Sequence, residues 1–510
     1  MILGEIKQTA GITTTLDDLF RRAGVRHPDA PALVDPPNRA SFTDGAPRAL
    51  TYAQADHAIS AFAARLHRLG LQADTVVAIQ LPNTIDSIIA FLGVLRAGMI
   101  AAPLPLLWRR RELVDALGRI SAKAIVTCAR SGNAAHAEIA MHTAAALFPI
   151  RHVCSFGRNL PDGIVSMEDV FDSGSPDASA TLVRSEAAAA HIAVVTFGVD
   201  GRGILPLARN HIEIISGGLA VYLEGAIASE ARVLSTIPFC TFAGLALTVV
   251  PWLLSGGTLH LHHGFDPAAF AAQRDTTKYD VVVLPAQAMQ ALSDSGAFAD
   301  EACTVAALWR APERLKGTKS VEGGIAVVDV PSFGEIGIVA ARRNAQGEPV
   351  PLPHGVISVP RGAIGAMTVV ETARSQAGTL MLRGPMVPTA AFPPDTTHRH
   401  TLHLKADPAG YIDTGFGCRL DTQSQTLAIT VAPAGIFGVG GYYLRQSDID
   451  ACVAKVSPDA AVVALPDRNL GNRLAGAGYD RNAVAAALET QGVNALISSA
   501  FCRGSADEAA

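Results

Sequence analysis

Little of this chain is charged and less is aromatic: 17% of its 510 residues are Asp, Glu, Lys or Arg, and 5% are Phe, Trp or Tyr. A formal net charge of -5 leaves no basic face for nucleic acid and no acidic tail. Seven cysteines, at 128, 154, 240, 303, 418, 452 and 502, never form a C-x-x-C pair, so neither a zinc knuckle nor a disulfide framework is expected. A reducing cytosol suits that usage best. Long hydrophobic runs are also missing. The longest, residues 245–254, is broken by Thr248 and Pro251 and is too short to span a bilayer. The opening residues Met1-Ile2-Leu3-Gly4-Glu5 lack the basic-then-apolar order of a signal peptide. At this length two or three domains are expected.

What is present is an alternation. Residues 15–26 read as a short helix with Leu16, Leu19 and Phe20 on one side, and 27–49, rich in Pro, Asp and Gly, reads as loop. Residues 52–69 form a helix: Thr51 and Gln54 make a capping box, Ile59, Phe62, Ala63, Leu66 and Leu69 give an apolar stripe, and Gly70 closes it. A strand at 75–81, a helix capped by Asn83, a strand at 99–103, a helix at 110–121 and a strand at 123–128 follow. Strands separated by helices of this length predict a parallel sheet covered on both faces. Short apolar runs broken by Pro and Gly make 336–430 β-rich, and 447–455 and 460–465 predict one more helix and strand.

Residues 192–211 hold a β-branched run and then three glycines, at 198, 201 and 203, before His211. The pattern predicts a strand, a phosphate-cradling turn and a helix.

Several phrases together carry a resemblance: Leu50-Thr51-Tyr52-Ala53, Val76-Val77-Ala78-Ile79-Gln80-Leu81-Pro82-Asn83, Phe91-Leu92-Gly93-Val94-Leu95-Arg96-Ala97-Gly98, Leu254-Ser255-Gly256-Gly257-Thr258-Leu259, Trp309-Arg310-Ala311-Pro312-Glu313 and Gly410-Tyr411-Ile412-Asp413-Thr414-Gly415. From about residue 15 to about 450 the chain resembles the superfamily of acyl-CoA synthetases, peptide-synthetase adenylation domains and luciferases. The resemblance implies an α/β fold: a body of two α/β subdomains plus a small distorted β-barrel over 1–430, then a shortened α+β lid over 431–510, mobile from about residue 430. It implies ATP or AMP and magnesium as cofactors if the chain is active, and none otherwise. Its implied partners are an acyl or aryl carboxylate, a CoA thioester or a carrier protein, with no nucleic acid and no membrane span.

The same resemblance implies a checklist, and the chain departs from it. The family loop T-S-G-T-T-G-x-P-K-G keeps Thr196, Gly198 and Gly201 here, but Val199 and Asp200 replace two threonines and Ile204 replaces the lysine. Glu335, after Phe333 and Gly334, stands where the family holds magnesium; an acid at a strand end is otherwise simply solvated. Phe416 follows Thr414-Gly415 where the family has the ribose-binding aspartate, and Ala432 stands at the hinge arginine. No counterpart of the lid lysine is found, Lys455 being the last lysine in the chain. Ala311, Pro312 and Thr414 complete the implied nucleotide contacts, and Phe239, Thr241, Phe242, Gly244 and Phe333 the implied acyl pocket, with Cys240 beside them as a small filler. A hydrogen bond to a charged group is worth roughly 1.5 to 3 kcal/mol, so losing partners at 204, 416 and 432 would cost about 4 to 9 kcal/mol if they added. Even the low end is about a thousandfold.

Three other constellations are weaker. The runs at 260–263 and 398–403 hold histidines two apart, His260 with His262 and His398 with His400, which on a strand share a face and could hold a metal, with His263 and His403 beside them, though strand histidines are commonly just part-exposed. The run Arg109-Arg110-Arg111 reads as a solvated helix start, and no G-x-S-x-G is present. Three functions stay open: a non-catalytic or weakly active binding homologue, an AMP-forming acid–CoA ligase using substitute residues, and a structural or regulatory subunit. If Glu335 is solvated, Glu335→Ala should change stability little.

Overall fold

The computed structural model describes residues 14–172, 188–298, 302–318, 320, 324–360, 366–393, 404, 406–467 and 471–502. The histidines at 398, 400 and 403 lie outside them. The α/β alternation builds two largely parallel sheets. In the first, strand Val76–Gln80 lies between Ile100–Pro103 and Ala124–Cys128, and the sheet ends on the antiparallel hairpin Ile192–Asp200 and Gly203–Asn210. In the second, Arg232–Ser235, Val281–Pro285, Thr304–Trp309 and Ala326–Phe333 run parallel in that spatial order. Strands Val76–Gln80 and Ala124–Cys128 are buried at every position, which is why they read as unbroken apolar runs. A six-stranded antiparallel sheet spans 352–431, as the β-rich composition predicts.

Helix Tyr52–Arg68 begins with the expected reciprocal cap: Gln54 N–H donates to Thr51 Oγ1 at 3.2 Å, and Thr51 N–H to Gln54 Oε1 at 2.9 Å. Residues 27–49 are not simply loop, since they hold strand Pro31–Val34 and a helical turn Arg39–Phe42. The reason is ionic and invisible to periodicity. Buried Arg39 bonds Asp35 and Asp86, each at 2.5 Å, and Arg48 bonds Asp86 at 2.8 Å. Asp35 Oδ1 also accepts the N–H of Ile85 at 2.8 Å, so it serves the start of helix Ile85–Arg96 from a distance. Asn83, the expected cap, does something else, as described below.

The two sheets close on a shared apolar core in which helix His211–Glu224 meets the helical stretch 242–255. Their approach is close because glycines face it. A methyl on Gly218 would lie 2.2 Å from Val250 Cβ, and one on Gly217 2.5 Å from Phe242 Cζ. Gly244, assigned to the acyl pocket, is needed for a similar reason: a Cβ there would sit 2.2 Å from the Pro238 carbonyl oxygen.

Residues 436–501 gather around their own core of Ile449, Cys452, Val453, Val462, Val484, Leu488, Ile497 and Phe501. Helix Gln446–Val456 and strand Ala461–Asp467 match expectation. The following residues add strand Gly471–Ala477 and helices Arg481–Thr490 and Ala495–Ser499, where only a polar, alanine-rich end was foreseen. This unit is tied to the body at several points. Arg314 donates to Asp467 O at 3.1 Å, Asn494 N–H donates to Glu112 Oε1 at 3.1 Å, and Arg111 N–H donates to Gly492 O at 3.1 Å. The arginine run starts helix Arg110–Ile120 as expected and Arg110 is exposed, but the run is only partly solvated: Arg109 is half-buried and donates to Leu106 O at 2.9 Å, and Gly492 packs on Arg110.

Gly218→Ala should lower unfolding free energy by about 1–3 kcal/mol, because the helix pair must part to admit a methyl group. Urea titration of this variant beside Gly118→Ala, a helical glycine whose added methyl would meet only Leu147 at 3.5 Å, reads the difference.

Candidate functional site

The glycine-rich stretch is a hairpin and not a strand, an open turn and a helix. Pairing runs from Ile192↔Asn210 to Asp200↔Gly203, so the tip closes over Gly201 and Arg202, and helix His211–Glu224 starts only after the second strand. Alternation along the first strand puts Thr196 and Gly198 on one face. That face meets Glu335, whose Cβ would be 3.6 Å from a methyl on Gly198.

Glu335 is not a solvated acid. It is 4% exposed, and its Oε2 accepts the Phe242 N–H at 2.7 Å. Burial raises its pKa, against the pull of the Phe242 N–H, the Arg209 and Arg310 guanidinium groups and the Thr196 hydroxyl. Arg209 escaped the sequence reading. It ends a strand whose preceding residues Leu205, Pro206, Leu207 and Ala208 are all buried, and that was the available signal. The guanidinium is fully buried, lies 3.7 Å over the Phe242 ring, and donates to Met386 O at 2.9 Å and to the Glu335 carbonyl. Burial lowers its pKa to about 10, with Glu213 and Glu335 resisting. A second cation, Arg310, donates to Thr241 Oγ1 at 2.9 Å.

The remaining positions are likewise committed. Phe333 and Phe416 are buried and meet edge to face at 5.7 Å. Thr414 Oγ1 donates to Leu380 O at 2.8 Å. Ala311 carries a carbonyl that accepts Arg314 N–H at 3.0 Å, just before the turn Pro312–Gly317. From the C-terminal unit, Tyr443 hydroxyl donates to Arg310 O at 2.6 Å, and Arg445 donates to Gly201 O at the hairpin tip at 2.6 Å. The structure thus brings Thr196, Gly198, Phe242, Phe333 and Glu335 together, with Phe416 against Phe333. Phe239 packs on Phe91 at 5.3 Å and lines a small cavity with Cys240 and Tyr442.

The histidine cluster is not a metal centre. His262 Nδ1 shares a hydrogen with Gln273 Oε1 at 2.7 Å and its Nε2 accepts Asp266 N–H, while His260 sits edge-on to Tyr279. Among the described residues no group of three or more His, Cys, Asp or Glu could hold a metal, and no helix is long and apolar enough to cross a membrane. All seven cysteines are free thiols.

The residues present do not fit a magnesium nucleotide in this arrangement. Glu335 already accepts a backbone N–H and faces two guanidinium groups, which would repel a divalent ion. The hairpin is paired to its tip and held by Arg445, and the buried Phe416 ring offers no acceptor.

Comparison with known proteins places these features. The AMP-binding enzyme family matches residues 20–197. A (methyl-dioxo-octahydroindenyl)propanoyl:CoA ligase of Mycobacterium tuberculosis is 26% identical over 478 residues, covering 90% of this chain and 87% of that protein. An amide bond synthetase from Marinactinospora thermotolerans has the same fold, with TM-score 0.68 at 19% identity over 94% of each chain. So does an ATP-bound protein from Rhodopseudomonas palustris, with TM-score 0.62 at 18% identity over 94% of this chain and 92% of its own.

Two outcomes are expected. Glu335→Ala should cost about 1–3 kcal/mol, contrary to the solvated reading, because it leaves the Phe242 N–H buried without its acceptor and removes the acid facing Arg209, whose own hydrogen bonds to the Glu335 and Met386 carbonyls remain; Glu335→Gln, which keeps an acceptor oxygen, should cost less. The second concerns Glu213, a buried acid in the reciprocal cap of helix His211–Glu224, whose pKa burial raises from 4.5 to about 7. The folded state holds this proton more tightly, so the stabilisation is full below about 4.5 and is lost as pH rises to about 7. Stability measured across that window should fall by up to about 3 kcal/mol more in the wild type than in Glu213→Gln.

Proposed function

We propose, from the match of residues 20–197 to the AMP-binding enzyme family and the likeness along 90% of the chain to a CoA ligase, that this is an acyl-CoA-ligase-like protein whose own adenylation step is lost or weak. Its remaining role is binding, of an acyl or aryl compound, a CoA thioester or carrier, or a partner protein. Residues 1–430 serve as the ligase-like body and 431–510 as its lid, in a cytosolic setting. The observation that carries this reading is the commitment of Glu335 to the Phe242 N–H beside two arginines. The other departures point the same way. A triphosphate would meet Asp200 at the hairpin tip and Ile204 where a cation is wanted, and Phe416 gives a sugar hydroxyl nothing to donate to. Thr196, Gly198, Gly201, Ala311, Pro312 and Thr414 are then inherited frame, while Phe239, Thr241, Phe242, Gly244 and Phe333 shape the core near a ligand.

One observation favours the rival reading of a working AMP-forming ligase. Arg209 and Arg310 bring two cations near Glu335, and they could stand in for lost basic groups if Met386 O and Thr241 Oγ1 gave them up.

The experiment is direct. Pure protein given ATP, magnesium, CoA and a panel of carboxylic acids should release pyrophosphate only at background rate, and Ile204→Lys alone should not change that. ATP with magnesium should also leave the melting temperature unmoved, whereas a ligand at about 100 times its Kd adds about 2.7 kcal/mol. Pyrophosphate release that needs acid and disappears in Arg209→Met or Arg310→Met would establish the rival. If neither nucleotide nor acyl compounds shift the melt, a structural or regulatory subunit is favoured.

A further inference from the structure

Residues 436–501 carry their own core, and the chain joins them to the body only through 432–435, after strand Thr426–Val431. Everything else that holds them in place is non-covalent, and it reaches both α/β subdomains. On the first, Arg445 donates to Gly201 O at 2.6 Å, while Asn494 N–H donates to Glu112 Oε1 and Arg111 N–H to Gly492 O, each at 3.1 Å. On the second, Arg314 donates to Asp467 O at 3.1 Å and the Tyr443 hydroxyl to Arg310 O at 2.6 Å. A unit fastened to one subdomain could ride with it. One fastened to both ties them together.

The contact with helix Arg110–Ile120 shows how the fastening is built. The first N–H groups of a helix have no partner inside it, and Arg109, at the cap position, has no side-chain acceptor to offer them. Segment 492–494 supplies what is missing. Gly492 O takes the Arg111 N–H, and Asn494, 1% exposed, gives its own N–H to Glu112, whose other oxygen holds the Arg109 N–H at 2.9 Å. The backbones lie so close that a methyl on Gly492 would sit 3.0 Å from Arg110 Cβ, and Gly492 has φ +66°, which glycine adopts most readily. A hydrogen bond to a charged group favours the joined state by roughly ten- to a hundredfold. Glu112, Arg314 and Arg445 each make one across the junction, so release requires all three to break together.

We propose that residues 436–501 are a fixed clamp across the two α/β subdomains, and that this unit stays docked whatever ligand is bound. This rests on the reading above that 431–510 stands as the lid, and it replaces the mobility expected from about residue 430 with one docked arrangement. The hairpin tip and the Arg310 carbonyl, both beside the Glu335 cluster, are then held at all times.

The test reads the junction directly, because among the described residues the Arg111 and Asn494 amides have no partner except across it. Hydrogen exchange of the full-length protein, resolved to single amides by mass spectrometry with electron-transfer fragmentation, should find both at least about tenfold slower than unprotected chain. ATP with magnesium, CoA and a carboxylic acid, alone or together, should leave both rates within about threefold of their starting values. Arg445→Met, which cuts the clasp at the hairpin tip, should speed both amides by about threefold or more, though neither bonds Arg445. The amides of the unit's own hairpin, Ala461–Asp467 with Gly471–Ala477, should keep their rates. Either junction amide exchanging faster than the first limit, or a ligand moving a rate beyond the second, would overturn the clamp. So would exchange unmoved by Arg445→Met, since segment 492–494 would then dock by itself. Should Arg445→Met unfold the unit, the wild-type series decides. Pyrophosphate release with both amides slow and unmoved would remove the impaired-adenylation reading and leave the clamp standing; no release, with either amide fast, does the reverse.

Discussion

A single carboxylate, buried at 4% exposure, organises the middle of this molecule. Glu335 stands just past strand Ala326–Phe333, accepts the N–H that begins the turn into helix 242–255, and lies against the hairpin through Thr196 and Gly198. Arg209 closes the arrangement from the hairpin's second strand, bonding both the Glu335 carbonyl and Met386 O while stacking on Phe242. Four segments far apart in sequence therefore share one desolvated charge cluster. A buried pair of this kind gives little net stability over an apolar substitute, yet removing one partner is costly. The same geometry that makes the cluster cohesive makes it unavailable: an acid already accepting an N–H and facing two cations has little reason to take up a metal ion.

Around that cluster the departures from the ligase pattern are mutually consistent. Phe416 finds an edge-to-face partner in Phe333 where a sugar acceptor was expected, so the substitution was absorbed into the core. The hairpin is paired to its tip. Arg445 and Tyr443 of the C-terminal unit then hold the tip and the Arg310 carbonyl. Packing and hydrogen bonding within the chain thus hold the hairpin tip, the Arg310 carbonyl and the Phe416 ring in place.

How much of this could be read from residues alone follows from the range of the forces involved. Helix Tyr52–Arg68 was legible to its cap because Thr51 and Gln54 interact three residues apart. The parallel strands were legible because burial on both faces leaves unbroken apolar runs. Residues 27–49 were not, since their structure depends on Arg39 reaching Asp86, a contact 47 residues away. Asn83 misled for a related reason: its amide bonds carbonyls at 235 and 262, and the helix start it seemed to cap is served by Asp35. The candidate site was legible as a set of positions, but not as a set of contacts. Glu335 looked like a strand-end acid, and Arg209 went unremarked although it sits within the stretch first singled out.

The hydrogen bonds from Asn494 to Glu112 and from Arg111 to Gly492 bear on how the protein comes into being. Glu112 also accepts the Arg109 N–H at 2.9 Å, so the start of helix Arg110–Ile120 is completed by chain made almost four hundred residues later. During synthesis that helix emerges and must wait, its Arg111 N–H turned to solvent, while domains ordinarily settle in the order they leave the ribosome. The first subdomain therefore reaches its finished surface only after the last helices have folded back onto it, which makes the nascent body a longer-lived client for whatever shelters unfinished chains.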